Sequence, residues 1–256
     1  MALTTSVVVC TKNEEEVIKD CLLSLDFADE IVLVDSNSSD RTVLIGRKNK
    51  ARVFVNKWQG FSEQKNFAFK KTSGDWVLFV DGDERVPDDL KKEIVEKIND
   101  KDNKYNAFEM PRLNNFLGKD MHWGGWYPDY QKRLVKRDAF IGWEGALHEH
   151  IRSKGKTGRL KNDLYHLAHR RIREMVEKSI MYTNFEAEQM YKHDHPEMVW
   201  WRFFRPMMGE FYGRYIKKRG YKDGAVGFIE AIYQSYSVFL IYARLWEMQQ
   251  KKEKEI

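Results

Sequence analysis

The residues best suited to chemistry are Asp81, Gly82 and Asp83, which follow the unbroken apolar run Trp76-Val77-Leu78-Phe79-Val80. Two carboxylates separated by one small residue can both turn towards a hard divalent cation. Mg²⁺ or Mn²⁺ favours oxygen ligands of this kind, shared with a phosphate. The competing reading is an Asp-Gly turn whose acids are solvated. A second group of ionisable residues is Glu144-Gly145-Ala146-Leu147-His148-Glu149-His150. Its histidines are two apart rather than four, which excludes the helical zinc-protease pattern. On a strand both imidazoles would share one face with Glu149 on the other, whereas a loop removes that constraint. His148 could complete a metal shell or orient a carboxylate, against the reading of a partly buried histidine satisfied by backbone.

These residues need elements to hold them. A short apolar run bounded by turn residues reads as a strand buried on both faces of a parallel sheet. Residues 6–10, 30–34, 51–55 and 75–80 fit that pattern, with helices expected to open at Glu14–Glu16 and to run over 41–46 and 61–71. Asp40 can cap the second of these helices. The alternation of strand and helix predicts a Rossmann-like wound sheet whose ligand edge lies at the carboxyl ends of its strands. Pro87 suits the first turn of a helix over 88–98. Shorter strands are expected at 105–111, 130–136 and 159–164, and no strand signal survives from His169 onward.

Composition bounds the rest. The 256 residues suffice for one large domain with a helical annex, and the net charge of +5 suits anionic partners such as phosphates or acidic lipid. Cys10 and Cys21 lie in apolar settings without metal-ligand spacing, as core thiols of a reducing compartment do. Met1 leads into a strand-like run without a charged segment, apolar core or cleavage site, so the cytoplasm is the expected location.

Four segments of the first third resemble the family-2 glycosyltransferases in order and spacing. They are Val8-Val9-Cys10-Thr11-Lys12-Asn13-Glu14, Val32-Leu33-Val34-Asp35-Ser36-Asn37-Ser38-Ser39-Asp40-Arg41-Thr42, Gln64-Lys65-Asn66-Phe67-Ala68, and Gly74-Asp75 through Asp83-Glu84. The resemblance implies a GT-A fold, that is, a Rossmann-like α/β fold with a mixed central sheet. It further implies inverting transfer of a hexose from a UDP-sugar with Mg²⁺ or Mn²⁺. Residue by residue, Thr11 and Glu14 would lie beside the donor nucleotide and Asp35 would accept from the uracil N3–H. Lys65 would lie near the phosphates, Asp81 near the ribose, and Asp83 would bind the metal directly. The residues agree, since Thr11, Asp35 and Asp81 each end an expected parallel strand, so one nucleotide can touch all three.

A second stretch is similar to the subgroup that adds glucose to the lipopolysaccharide inner core. It comprises Gly125-Trp126-Tyr127-Pro128-Asp129-Tyr130-Gln131-Lys132-Arg133-Leu134, Leu147-His148-Glu149 and an aromatic, basic tail. This likeness implies a glucose donor and a lipid-linked saccharide acceptor, although enzymes that glycosylate peptides share similar segments. An attacking hydroxyl needs a general base. Many relatives supply it from an acidic pair at the head of a helix, and no such pair follows Asp102. Glu149 ranks first for that role and Asp129 second. Trp123, Trp126 and Tyr127, spaced by glycines, suit either a sugar-stacking acceptor platform or ordinary core.

The expected organisation is a GT-A domain over 1–168, with a nucleotide-sugar half over 1–100 and an acceptor half over 101–168, and a helical region over 169–256. In that region the aromatic residues from Trp200 to Tyr215 share a helix with Arg202, Arg205, Arg214 and Lys217, and Pro206 is expected to kink it. Such a face over 198–222 suits peripheral contact at a membrane interface, a homo-oligomer contact, or packing on the next helix, expected over 225–248. The latter approaches membrane-spanning length, but Glu230, Gln234 and Ser235 interrupt it. No nucleic-acid partner is expected, because the basic residues gather on an aromatic helix rather than along a groove-sized helix with base-reading polar side chains. The leading expectation is a UDP-sugar-dependent transferase at the cytoplasmic face of the inner membrane. The alternatives are a peptide or polyprenyl-phosphate transferase, and an inactive sugar-nucleotide-binding membrane scaffold.

Overall fold

The computed structural model describes residues 3–145 and 149–254. The chain divides into two compact units, Met1–Leu113 with Asp129–Leu167, and Asn114–Pro128 with Ala168–Ile256. The first unit opens with β1 (Thr5–Thr11), α1 (Ile18–Leu23), β2 (Glu30–Asp35), α2 (Thr42–Lys48), β3 (Arg52–Val55), α3 (Phe61–Phe69) and β4 (Trp76–Asp81). A two-residue strand β5 (Glu84–Arg85) and α4 (Asp88–Asn99) follow. Then come β6 (Tyr105–Phe116), β7 (Lys119–Asp120), β8 (Asp129–Lys136), β9 (Phe140–Glu144), β10 (His150–Ser153), β11 (Lys156–Arg159) and β12 (Leu164–His169).

Strands β3, β2, β1 and β4 are parallel neighbours, while β8 joins β4 and β6 joins β8 in antiparallel register. The sheet is therefore mixed, as expected. The middles of its central strands are apolar because both faces are covered. Val7, Val9, Leu33, Leu78 and Val80 pack against Ile18 and Leu22 of α1 and Leu90 and Ile94 of α4. Val8, Val32, Val34, Val77 and Phe79 pack on the other side with Ala68 of α3 and Trp143 of β9. Each Val, Leu, Ile or Phe among them, when fully buried, contributes about 1.5–3 kcal/mol.

Two sequence expectations shift. The first helix begins at Ile18 rather than at the glutamates, because the Glu14 and Glu15 amides donate to Thr42 Oγ1 at 2.8 Å and Asp40 Oδ2 at 3.0 Å. The strand expected over 159–164 is two strands, β11 and β12, with a loop between them. There the amides of Lys161 and Asn162 donate to the Glu93 carboxylate at 2.9 Å, so they are withdrawn from ladder pairing.

The second unit contains α5 (Ile172–Lys192), α6 (Trp200–Phe211) and α7 (Gly224–Lys254). Pro206 lies inside α6, which continues as a π turn over Tyr212–Lys217. Ala187, Met198 and Leu245 form its buried centre with Phe203, Ile241 and Tyr242. The aromatic loop within Asn114–Pro128 belongs to this unit. Asp223 accepts from the Trp123 amide at 2.8 Å, and the Gly124 amide donates to the Lys218 carbonyl at 2.9 Å.

Candidate active site

The carboxyl ends of β1, β2 and β4 lie side by side, since Thr11 is in register with Asp35 and Cys10 with Asp81. Asp35 is fully buried. Its Oδ1 accepts from the Ser38 amide at 2.8 Å, and its Oδ2 accepts from Ser38 Oγ at 2.5 Å and Thr11 Oγ1 at 3.3 Å. The same carboxylate thus shapes the turn after β2 and ties it to β1. Gly82 belongs to the turn after β4, where a Cβ would stand 3.0 Å from the Thr11 methyl and 3.4 Å from Glu14 Cγ. A larger residue between the two aspartates would have to push the Thr11 and Glu14 side chains aside by a few tenths of an ångström.

Helix α3 acts as a clamp. Gln64 Nε2 donates to Ser36 Oγ at 3.0 Å, and the Asn66 side chain pairs with the Trp143 backbone through bonds of 2.8 and 2.9 Å. Between them Lys65 is buried, with Nζ 2.9 Å from Glu149 Oε1, 3.3 Å from Asp81 Oδ1 and 4.4 Å from the centre of the Trp143 ring. The short run Gln64-Lys65-Asn66 thereby links the β2 turn, the acidic strand and the β9–β10 hairpin.

From Asp81 a chain of alternating charge continues inward. Arg133 Nη2 donates to Asp81 Oδ2 at 2.8 Å and to Glu84 Oε1 at 2.9 Å. Arg112 lies 3.6 Å from Glu84 Oε1 and donates to Asp129 Oδ2 at 2.7 and 2.9 Å, while Gln131 Nε2 donates to Asp129 Oδ1 at 2.7 Å. Glu84 also accepts from the Asp81 amide at 2.8 Å, closing the acidic turn. Arg133 is 4% exposed and Glu84 fully buried, so each charge needs the other. The Nε and Nη1 of Arg133 make no hydrogen bond. Burial opposes ionisation of Asp81, but the charges of Arg133 and Lys65 outweigh it and hold the carboxyl well below the usual range. Desolvation pushes the neighbouring, partly buried Cys10 thiol up to about 12, so it stays protonated at neutral pH.

Asp83 has a different setting. The Leu167 amide donates to its carbonyl at 2.9 Å, and β5 pairs with β12, bringing His166 Nε2 to 3.5 Å from Asp83 Oδ2. One imidazole and one carboxylate at a loop fit Mn²⁺ or Mg²⁺ only if further oxygen ligands are supplied. Among the described residues no group of three or more His, Cys, Asp or Glu could hold a metal by itself. Both Asp81 oxygens already face cations. His148, the expected histidine ligand, lies outside the described residues.

The structure thus brings together Thr11, Glu14, Asp35, Lys65, Asp81, Asp83, Glu149 and, through Arg112, Asp129, all within the first unit. Trp123, Trp126 and Tyr127 belong to the second unit. There Lys222 Nζ lies 4.1 Å from the Trp123 ring, Arg214 lies 4.7 Å from the Trp126 ring, Trp126 meets Phe116 edge-on, and Tyr127 meets His122. Sequence reasoning missed Glu84, Arg112, Arg133 and His166. A signal existed for Arg133, a cation directly before the apolar pair Leu134-Val135 of a strand. His166, one polar residue in a short strand, offered none.

The sequence profile described as Glycosyl transferase family 2 matches residues 6–146. An uncharacterized glycosyltransferase of Rickettsia typhi is 27% identical, over 98% of this chain and 89% of its own length. The lipopolysaccharide core biosynthesis glycosyltransferase LpsC of Rhizobium meliloti is 25% identical, over 94% of this chain and 90% of its own. Among solved structures, glucosyl-3-phosphoglycerate synthase of Mycobacterium tuberculosis, in complex with Mn²⁺ and UDP-glucose, superposes with a TM-score of 0.50. It is 19% identical, with 76% of this chain and 80% of that one covered, a likeness of fold.

Proposed function

This chain belongs to glycosyltransferase family 2, and from that premise we propose that it moves a hexose, glucose first, from a UDP-sugar to a lipopolysaccharide core acceptor with inversion and a divalent metal. The observation that carries the reading is the contrast at the end of β4, where Asp81 is locked between Lys65 and Arg133 while Asp83 faces His166. Asp83 and His166 would hold Mg²⁺ or Mn²⁺, which when bound neutralises charge on a departing diphosphate. The bound UDP-glucose and Mn²⁺ of the mycobacterial synthase, and the lipopolysaccharide role named for LpsC, support donor, metal and acceptor.

The chain's own residues divide the work. Asp35 offers a buried acceptor for the uracil N3–H, with Thr11 and Glu14 flanking the nucleotide. Asp81, held between Lys65 and Arg133, is assigned to the ribose side of the site. Lys65, shared between Asp81 and Glu149, is the cation nearest the phosphates. A donor phosphate competing for Lys65 leaves Glu149 with a freer oxygen to take the acceptor proton. Asp129 is the weaker candidate, because two Arg112 donors already occupy its Oδ2. Trp123, Trp126 and Tyr127 are proposed as the acceptor platform, and the lipid-linked acceptor assigns the protein to the cytoplasmic face of the inner membrane.

The test is a screen of donor hydrolysis and transfer across sugar nucleotides with Mg²⁺ and Mn²⁺. UDP-glucose turnover that requires a divalent ion is the expected result. Turnover of a guanosine-diphosphate sugar in preference, or full activity in chelator, would overturn donor or metal respectively.

A further inference from the structure

Helix α6 has no buried residue along its length, although it packs on α7. Trp200, Phe204 and Met208, followed by Tyr212 and Ile216 in the π turn, recur at four-residue intervals and are 75, 54, 58, 61 and 45% exposed. In an α-helix each such step turns the row by about 40°, so these side chains form a broad oblique apolar stripe rather than a single line. An apolar stripe of this length is more than soluble surfaces ordinarily leave open.

The charge beside it is equally uneven. Residues 198–222 contain seven basic side chains and one acid, so this segment alone exceeds the chain's net +5. Its acid, Glu210, is already paired with Arg214 at 2.5 Å. A cavity of about 420 Å³ opens beside α6, and its walls include His195, Trp201, Arg202, Arg205 and Tyr242. Arg202 lies 5.2 Å from the Trp201 ring and donates to the Glu197 carbonyl at 2.7 Å. Among the described residues, Arg205 has no hydrogen-bond or ion-pair partner, and its side chain is exposed.

We propose that this face docks the protein on an anionic lipid bilayer. The stripe from Trp200 to Ile216 enters the interface between head groups and acyl chains, and Arg202 and Arg205 hold lipid phosphate at the cavity. A second copy of the chain is a poorer occupant, because a twofold contact would set one strongly basic segment against another. Helix α7 is long and apolar enough to cross a membrane by length and composition. Yet α5 and α6 both pack along it, so docking by α6 leaves the helical unit intact. The inference needs neither the donor nor the acceptor reading, because binding is measured without sugar nucleotide.

The experiment is co-sedimentation of the full chain with phosphatidylcholine vesicles, with and without phosphatidylglycerol, at low and high salt. Binding should require phosphatidylglycerol and be released by salt. Arg202→Gln with Arg205→Gln should weaken it roughly tenfold to thirtyfold. Trp200→Ser with Phe204→Ser should also release the protein, while melting temperature and circular dichroism stay as in the wild type, since both rings are exposed. Equal binding to both lipids, or wild-type binding by either variant, would overturn the proposal. So would a dimer in solution that the Trp200 and Phe204 changes dissociate while no vesicle is bound. Protein that survives both high salt and alkaline carbonate would instead mark α7 as a membrane span.

Discussion

The two units treat buried acid in opposite ways. In the first, the fully buried Glu84 and the partly buried Asp81 sit among Lys65, Arg133 and Arg112, and Asp81 is held ionised. In the second, Glu230 on α7 is 2% exposed, its Oε1 accepts from Gln234 at 2.7 Å, and its Oε2 makes no hydrogen bond. Burial pushes its pKa up to about 7, against small opposing effects of Gln234 and Arg214. A cation at contact distance decides whether burial silences a carboxyl or fixes its charge. The sheet edge is built to keep negative charge at neutral pH, and the helical unit is not.

Asp83→Ala should have the largest effect, a loss of transfer of more than about 10³-fold with the fold unchanged. Mn²⁺-dependent UDP binding, followed by calorimetry, should disappear with it, and undiminished binding would remove Asp83 from the metal site. Glu149→Gln keeps size but cannot take a proton, so transfer should fall roughly 10²–10⁴-fold with UDP affinity unchanged. Asp129→Asn in parallel should be far milder, and the reverse ranking would move the base to Asp129.

Arg133→Met leaves Glu84 buried with only Arg112 nearby. Denaturant unfolding should report a loss of about 3–5 kcal/mol. A much smaller loss would mean that the charged edge is less tightly coupled than its distances imply. For Glu230 the sign is the other way. Its folded pKa is raised above the model-compound value of 4.5, so the folded state keeps a proton that the unfolded chain has released. Stability is therefore full below about pH 4.5 and declines until about pH 7, by about 3 kcal/mol. Glu230→Gln should flatten that part of the profile, and an unchanged slope would show that another group produces it. The smallest effect is expected from Asp35→Asn, which should weaken UDP binding by about 1–3 kcal/mol. Equal affinity would restrict Asp35 to its turn with Ser38.

The wound sheet was legible because β1, β2 and β4 are unbroken apolar runs, and such runs have few places to go other than between two layers of helices. Their ends were legible for the same reason, which is why Thr11, Asp35 and Asp81 could be named together. Lys65 was legible only as part of a motif, since nothing in Gln64-Lys65-Asn66 by itself says that the lysine is buried. The shift of α1 to Ile18 was not legible, because it depends on Asp40 and Thr42 capturing the Glu14 and Glu15 amides across the sheet edge.

By itself, then, the sequence determined the parallel core, the acidic turn with its glycine, and the aromatic and basic character of α6, because each follows from neighbours along the chain. Only the tertiary structure decided which charges meet. The pairs Arg133 with Asp81, Arg133 with Glu84 and Lys65 with Glu149 span 52, 49 and 84 residues. His166 reaches Asp83 because β12 pairs with β5. Charge pairing across such distances is fixed by strand register and helix docking, and no periodicity within a short window encodes either.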